Sequence, residues 1–324
     1  MTERTQASSN AAQGADTLTA ALLSRSFDLS FLKPQLEAAI PGLEVVEWPD
    51  PRHAQAELAV CWDVPDEVYA GMPRLKLVHS IAAGVDNVVA GQDLRGLPVC
   101  RVVDPDLAEG MLQYVLWSVL YFHRSLDRAL AQQRQAQWLR PLQTHASTCR
   151  VGIMGLGEMG GHVAQGLVQR GYAVRGWSRT PRQLKGVQAY SGAAQFDEFL
   201  AGCDILVCLL PLTDSTRGIL NRRLFAALPP GAALIHCGRG AHLVEQDLVD
   251  ALASGHMRGA VLDVFAREPL PEDHPFWHMP GVVVTPHMAT MASWEAVISQ
   301  VADNVARLRA GQDLLNTVDP VLGY

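Results

Sequence analysis

Residues 151–160 read VGIMGLGEMG, and the chain runs on through GHVAQGLVQRG (161–171), YAVRGW (172–177) and SRT (178–180). Val151, Gly152, Ile153 and Met154 form a short buried strand; Val163, Ala164, Leu167 and Val168 then recur at helical spacing until Gly171 ends the stripe. Between strand and helix lies a Gly-x-Gly-x-x-Gly turn. Gly155 permits the tight turn, Gly157 lets backbone approach a phosphate, and Gly160 lets the helix pack close to the strand. The first amides of the helix and its dipole then face an anion. This order is built to hold the pyrophosphate of a dinucleotide.

The second strand says which dinucleotide. NAD-binding chains carry an acidic residue about 20 positions on, where it takes the ribose 2′-hydroxyl. Here the strand ends in Trp177, Ser178, Arg179 and Thr180, with Arg182 close behind and no carboxylate. A carboxylate would repel a 2′-phosphate, whereas a guanidinium pairs with it bidentately. The expectation is NADPH in preference to NADH; the bland alternative makes Arg179 a solvated loop residue.

The 324 residues suffice for two domains with separate cores, and 48% hydrophobic with 18% charged residues is ordinary for an α/β protein. A net charge of −7 offers no electrostatic footprint for nucleic acid or an anionic membrane. Six cysteines form no CxxC pair and no zinc spacing, and most lie in apolar runs, which suggests reduced thiols and a cytoplasmic setting. The opening MTERTQASSNAAQGAD lacks the apolar core of a signal peptide and reads as a disordered lead-in, residues 1–17. The apolar stretch at Leu112–Phe122 is too short to span a bilayer.

From about Leu18, short apolar runs alternate with amphipathic ones. Strands are expected at Thr19–Leu23, Leu43–Glu47, Leu58–Trp62, Leu77–Ser80 and Val99–Val102, with a helix at Phe31–Ala39. Asp104-Pro105 opens a helix through His123. Six more strands follow, at Val151–Met154, Ala173–Trp177, Ile205–Leu210, Ala233–His236, Ala260–Val264 and Val282–Thr285. Their helices include Asn221–Leu228, capped by Asn221, and Leu243–Ser254, closed by Gly255. This is a doubly wound parallel sheet. Trp294, Val297, Ile298, Val301, Val305 and Leu308 then recur at helical spacing, on a helix expected to return to the first domain.

Three short segments sit at the ends of predicted strands, where ligands bind in open α/β sheets. They are HCGRG (236–240) with Arg239, LDVFAREPLP (262–271) with Asp263 and Glu268, and TPHMA (285–289) with His287. Together with LLPLTDST (209–216) and SIAAGVD (80–86), they resemble the D-isomer-specific 2-hydroxyacid dehydrogenases, from about Leu18 to Tyr324. WSRT (177–180), DVFAREPLP and the closing Gly323-Tyr324 are most similar to the glyoxylate/hydroxypyruvate reductase A subgroup.

The chemistry can be argued from the residues. Reducing a 2-oxo acid needs a cation for the carboxylate and ketone, a proton donor at the carbonyl oxygen, and a hydride source. The planar guanidinium of Arg239 suits the first task. His287 suits the second, since imidazole titrates near working pH. Glu268 would bond the other ring nitrogen, orient it and favour the imidazolium. The hydride comes from the nicotinamide.

The resemblance implies further roles. It assigns the substrate carboxylate to backbone amides at Ala83 and Gly84. It places Trp48 near the substrate entrance, although Trp48 and Trp62 would equally serve as core of a first-domain strand. Cofactor contacts fall on Gly155, Leu156, Gly157, Glu158, Met159, Gly160, Ser178, Arg179, Thr180, Leu210, Pro211, Thr216, Cys237, Gly238, Asp263 and His287. Asp263 is expected near the nicotinamide. The fold implied is two Rossmann-like domains, a dinucleotide-binding domain (104–290) inserted in a smaller flavodoxin-like substrate domain (18–103 and 291–324). A homodimer built around the helix that begins near Pro105 is implied as well.

The expected activity is NADPH-dependent reduction of glyoxylate, hydroxypyruvate and similar small 2-oxo acids. Alternatives are a dehydrogenase of phosphoglycerate or bulkier acids, or a dinucleotide-sensing protein like the family's corepressor branch. GLGEMG also resembles the β-hydroxyacid dehydrogenases, but those carry it at the extreme N-terminus and use a lysine. One departure from the family pattern is His236, where an Asn usually stands. His274 and His278 hint at a metal, but Pro275 breaks the helix that would align them and the chemistry requires none, so no metal is expected.

Overall fold

The computed structural model describes residues 17–318. The expected lead-in up to Asp16 and the closing Gly323-Tyr324 lie outside them. The chain divides into two compact units: within the described residues, 17–102 with 294–318, and 103–293.

The first unit runs β1 (Leu18–Leu23), α1 (Leu32–Ala39), β2 (Leu43–Glu47), β3 (Leu58–Cys61), β4 (Leu77–Ser80), α2 (Asp86–Val89) and β5 (Val99–Cys100). Strands β1 to β5 are parallel in the order β5-β4-β3-β1-β2, the flavodoxin-like arrangement. Strands β3 and β4 are buried at every position, as parallel strands covered on both faces must be.

The second unit opens with α3 (Pro105–His123), where Pro105 presets the first turn and the Asp104 carboxylate accepts from the Asp106 N–H at 3.0 Å. Then follow α4 (Leu126–Arg134), β6 (Arg150–Met154), α5 (Glu158–Gln169), β7 (Ala173–Ser178), β8 (Val187–Ser191), α6 (Phe196–Ala201), β9 (Ile205–Cys208), α7 (Arg222–Ala227), β10 (Ala232–His236), α8 (Glu245–Ala253), β11 (Met257–Leu262) and β12 (Val282–Val284). Asn221 caps α7 as expected, its side chain accepting from the Leu224 N–H. These strands form one parallel sheet in the order β12-β11-β10-β9-β6-β7-β8. The order reverses at β6, the strand that carries the glycine turn, and a doubly wound sheet binds its ligand at that reversal.

The chain then returns to the first unit through α9 (Trp294–Ala310) and β13 (Thr317–Val318), which pairs antiparallel with β5. Val297, Val301 and Val305 of α9 are buried.

The sheet of the second unit has seven strands where six were expected. The additional one, β8, is an edge strand whose five residues include a single buried side chain, Tyr190. It has no apolar alternation to read. Helix α4 was not among the expected helices: its nine residues are mostly polar, and its one short apolar group, Leu126, Ala129 and Leu130, has no buried residue in the chain. β11 starts at Met257 instead of Ala260, because Arg258 and Gly259 interrupt the apolar run that marks it.

Candidate active site

The glycine turn has the shape its composition predicts. Gly155 sits at φ 100°, where a Cβ would lie 2.8 Å from the Leu209 carbonyl oxygen. A Cβ on Gly160 would stand 1.8 Å from the Gly155 oxygen, so α5 can approach β6 only with glycine there. A Cβ on Gly157 would meet no protein atom within 4 Å. Gly157 is also the N-cap of α5, and no side chain caps the helix. Its leading N–H groups therefore suit an anion, and the residues present fit a dinucleotide pyrophosphate.

Ser178 closes β7, its hydroxyl donating to the Thr180 carbonyl at 2.7 Å, and exposed Arg179 follows. No acidic side chain stands between Trp177 and Arg182. Leu210 and Pro211 follow β9, and the Thr216 hydroxyl pins that loop by donating to the Pro211 carbonyl at 2.8 Å.

The three proposed catalytic residues leave neighbouring strands at their C-terminal ends: Arg239 after β10, Glu268 after β11, His287 after β12. His287 Nδ1 lies 2.7 Å from Glu268 Oε2, and Glu268 Oε1 accepts the Phe265 N–H at 2.9 Å. Each carboxylate oxygen thus has its own donor. With Nδ1–H assigned to Glu268 by this network, Nε2 is left for a reacting group. The two side chains are 27% and 32% exposed, so solvent and substrate can reach them.

Arg239 is brought to the same edge by close packing. A Cβ on the following Gly240 would fall 1.8 Å from the Phe265 carbonyl carbon, so the Arg239 loop lies against the loop that leads to Glu268. Two buried imidazoles hold the Arg239 backbone. His236 Nε2 donates to its carbonyl at 2.9 Å, and His242 Nδ1 accepts from its N–H at 3.0 Å. His242 Nε2 reaches the Pro211 carbonyl at 3.2 Å. Burial, with His242 beside it, pushes the His236 imidazole down to about 3, so it works as a neutral ring.

Cys208, His236 and His242 bring potential metal-ligating atoms within 4.8 Å of one another. Both nitrogens of His242 and one of His236 are spent on backbone groups, leaving only the buried His236 Nδ1 without a partner. Such a donor set reads as a hydrogen-bonding clamp. His274, whose spacing to His278 hinted at a metal, pairs through Nε2 with Glu245 at 3.2 Å.

Asp263 is 1% exposed. Its Oδ1 accepts from the Thr285 hydroxyl (2.6 Å) and the Met288 N–H (2.9 Å), and its Oδ2 from the Ala289 N–H (2.9 Å). Burial raises its carboxyl above the ordinary range, while these donors and nearby His287 draw it back. The loop it grips is strained, because His287 sits at φ 51°, a left-handed conformation costing a non-glycine residue about 1–3 kcal/mol. Neither Thr285 nor Tyr114, which bonds Thr285, was singled out from the sequence. The available signal was a tyrosine hydroxyl in the apolar run of α3, which needs a partner when buried.

In the first unit, the SIAAGVD loop follows β4. The Ser80 hydroxyl ties it by donating to the Gly84 carbonyl (3.0 Å) and accepting from the Ala82 N–H (3.1 Å). Ala83 and Gly84 are half-buried, and Trp48 is 37% exposed just after β2, which does not place it in a core.

Residues 116–289 match the family model described as D-isomer specific 2-hydroxyacid dehydrogenase, NAD binding domain. The chain is 43% identical over 296 residues to a glyoxylate/hydroxypyruvate reductase A of Serratia proteamaculans, covering 89% of this chain and 94% of that protein. A solved D-isomer specific 2-hydroxyacid dehydrogenase family protein from Klebsiella pneumoniae superposes with TM-score 0.87 at 43% identity, over 95% of this chain and 99% of that one. The NADPH-dependent glyoxylate/hydroxypyruvate reductase of Sinorhizobium meliloti, solved with NADP and sulfate, superposes with TM-score 0.85 at 37% identity. That match covers 95% of this chain and all of the other.

Proposed function

The chain belongs to the D-isomer-specific 2-hydroxyacid dehydrogenase family, and on that premise we propose that it reduces glyoxylate, hydroxypyruvate and similar small 2-oxo acids with NADPH. The observation that carries this reading is the His287–Glu268 pair, at the same sheet edge as the Arg239 loop. The names of the Serratia and Sinorhizobium relatives support the substrates, and the NADP bound to the latter supports the coenzyme.

When bound, the reduced nicotinamide would supply the hydride to the carbonyl carbon of the 2-oxo acid. Arg239 holds the substrate carboxylate and draws electron density toward the carbonyl oxygen. His287 gives its Nε2 proton to that oxygen, which becomes the hydroxyl, and leaves as neutral imidazole to be reprotonated from solvent. Glu268 keeps the ring turned by holding Nδ1–H. On the family resemblance, the Ala83 and Gly84 amides would receive the carboxylate and Trp48 would serve at the substrate entrance.

The α5 amides, with Gly155, Leu156, Gly157, Glu158, Met159 and Gly160, take the pyrophosphate. Ser178, Arg179 and Thr180 take the 2′-phosphate. Leu210, Pro211, Thr216, Cys237 and Gly238 would line the rest of the coenzyme, with Asp263 and His287 serving its nicotinamide end.

The test follows absorbance of NADPH, and in parallel NADH, with a panel of 2-oxo acids. Turnover of small acids with a preference for NADPH is expected. Coenzyme binding without turnover of any acid would overturn the reading in favour of a dinucleotide sensor.

The protein is further proposed to act as a homodimer. Exposed Trp117 on α3, Leu126 and Leu130 on α4, and Trp138, Leu139 and Leu142 beyond it offer an apolar surface of the kind that mediates association. Light scattering that gives a single-chain mass would refute this. Six free, buried thiols suit a reducing compartment such as the cytoplasm.

A further inference from the structure

Behind the His287 loop, three side chains far apart in sequence form a line of hydrogen bonds. The Tyr114 and Thr285 hydroxyl oxygens are 2.5 Å apart, and Thr285 Oγ1 is 2.6 Å from Asp263 Oδ1. The direction of the line follows from donor capacity. An ionised carboxylate only accepts, so the Thr285 proton points at Asp263. Thr285 Oγ1 then has only lone pairs for Tyr114, and the Tyr114 O–H must donate.

Asp263 passes the constraint on. Its carbonyl accepts the His287 N–H at 2.9 Å, and its two carboxylate oxygens accept the next two amides, Met288 and Ala289. Three consecutive N–H groups, beginning at His287, therefore bond to Asp263, the His287 N–H being shared with the Thr285 carbonyl at 3.0 Å. They hold a backbone at φ 51°, which would relax without them. Three of the four lone-pair sites of the carboxylate are occupied by protein donors.

We propose that Tyr114, Thr285 and Asp263 act as one positioning relay that sets the left-handed backbone of His287, and hence the aim of its ring. This rests on His287 being the proton donor argued above. The relay adds residues that touch neither substrate nor coenzyme in that scheme: Thr285 and Tyr114 act only through Asp263. Losing the Thr285 hydroxyl would leave the burial of Asp263 less compensated and loosen the carboxylate's grip on the Met288 and Ala289 amides that follow His287.

The test uses the purified full chain with NADPH and the 2-oxo acid it turns over fastest. Thr285→Val, nearly isosteric but without the hydroxyl, is expected to lower kcat by about tenfold, the scale of one lost hydrogen bond to a charged group. Its KM for NADPH should stay within about twofold of the parent, since the pyrophosphate and 2′-phosphate sites are untouched. Thr285→Ser, which keeps the hydroxyl, should recover most of kcat. Tyr114→Phe should cost about threefold, and the Tyr114→Phe/Thr285→Val double variant should be no worse than Thr285→Val alone, because Tyr114 acts through Thr285.

Parental kcat in Thr285→Val, or losses that multiply in the double variant, would overturn the relay. If Thr285→Val does not fold, as judged by its thermal transition, Tyr114→Phe removes only one oxygen and decides the matter: parental kcat in it overturns the proposal. His287→Ala separates the two readings. Activity that survives it means that the proton-donor assignment has failed. An inactive His287→Ala beside fully active Thr285→Val and Tyr114→Phe means that the relay alone has failed.

Discussion

Glu268 holds His287 with one carboxylate oxygen and its own loop with the other: Oε2 meets His287 Nδ1 at 2.7 Å and Oε1 meets the Phe265 N–H at 2.9 Å. The partners lie 19 and 3 residues away, so one side chain couples the β11 loop to the β12 loop. An amide has only one acceptor oxygen and cannot serve both donors. Glu268→Gln is therefore expected to lower kcat by about tenfold, the value of one charge-assisted hydrogen bond, with NADPH affinity retained. Steady-state kinetics beside coenzyme titration checks this, and an unimpaired Glu268→Gln enzyme would contradict it.

His287→Ala removes the proposed proton donor. General acids contribute about 10²–10⁴-fold, so kcat should fall by at least about a hundredfold while NADPH still binds. Tryptophan fluorescence quenching by NADPH provides the binding arm. A parallel loss of coenzyme affinity and turnover would indicate a structural role instead.

Arg239→Lys keeps a positive charge but loses the planar fork, on a backbone whose placement by His236 and His242 is unchanged. Turnover should fall by about a hundredfold, the scale of a lost donor to developing charge. Near-parental kcat/KM in this variant would remove Arg239 from the chemistry.

Arg179 is exposed directly after β7, with no carboxylate nearby in sequence. Arg179→Ala should raise KM for NADPH by about tenfold and leave that for NADH nearly unchanged, because only the former carries the 2′-phosphate. Equal effects on the two coenzymes would show that the guanidinium does not read that phosphate.

Acid should weaken the fold through two buried imidazoles. Burial lowers His79 to about 4 and His236 to about 3. His79 faces the backbone carbonyls of Ser80 and Gln300; His236 faces the Arg239 carbonyl, with the titratable His242 ring and the charged Arg239 nearby. In the unfolded chain both titrate near 6.5, so below that pH the unfolded state binds more protons. The stability they contribute is complete above about pH 6.5 and is lost as pH falls toward the folded values, by up to about 1.4 kcal/mol per unit for each ring. Melting temperature should therefore drop between about pH 6.5 and 4.5, and less steeply in His79→Asn or His236→Asn. The same slope in both variants would refute the assignment.

Much of this protein is written locally. The glycine turn is legible because only glycine tolerates φ 100° at position 155 and a neighbour at 1.8 Å from a Cβ at position 160, and the flanking periods of two and 3.6 show what it joins. Arg239, Glu268 and His287 could be picked out because strand ends in a parallel sheet are where ligands bind, and the strands themselves read as apolar runs. β8 is an edge strand with a single buried side chain, and α4 is a short, mostly polar helix whose few apolar residues are not buried in the chain, so neither stands out as an apolar period.

Sequence alone determined the fold class, the dinucleotide turn and the chemical types offered at the sheet edge, because each depends on neighbours within a few residues. Only the tertiary structure decided how those groups are held. Tyr114 finds Thr285 across 171 residues, Asp263 grips the amides after His287, and two histidines clasp the Arg239 backbone, His242 reaching on to Pro211. Hydrogen bonds need atoms placed to within a few tenths of an ångström, and sheet register sets that placement between strands that sequence order leaves far apart.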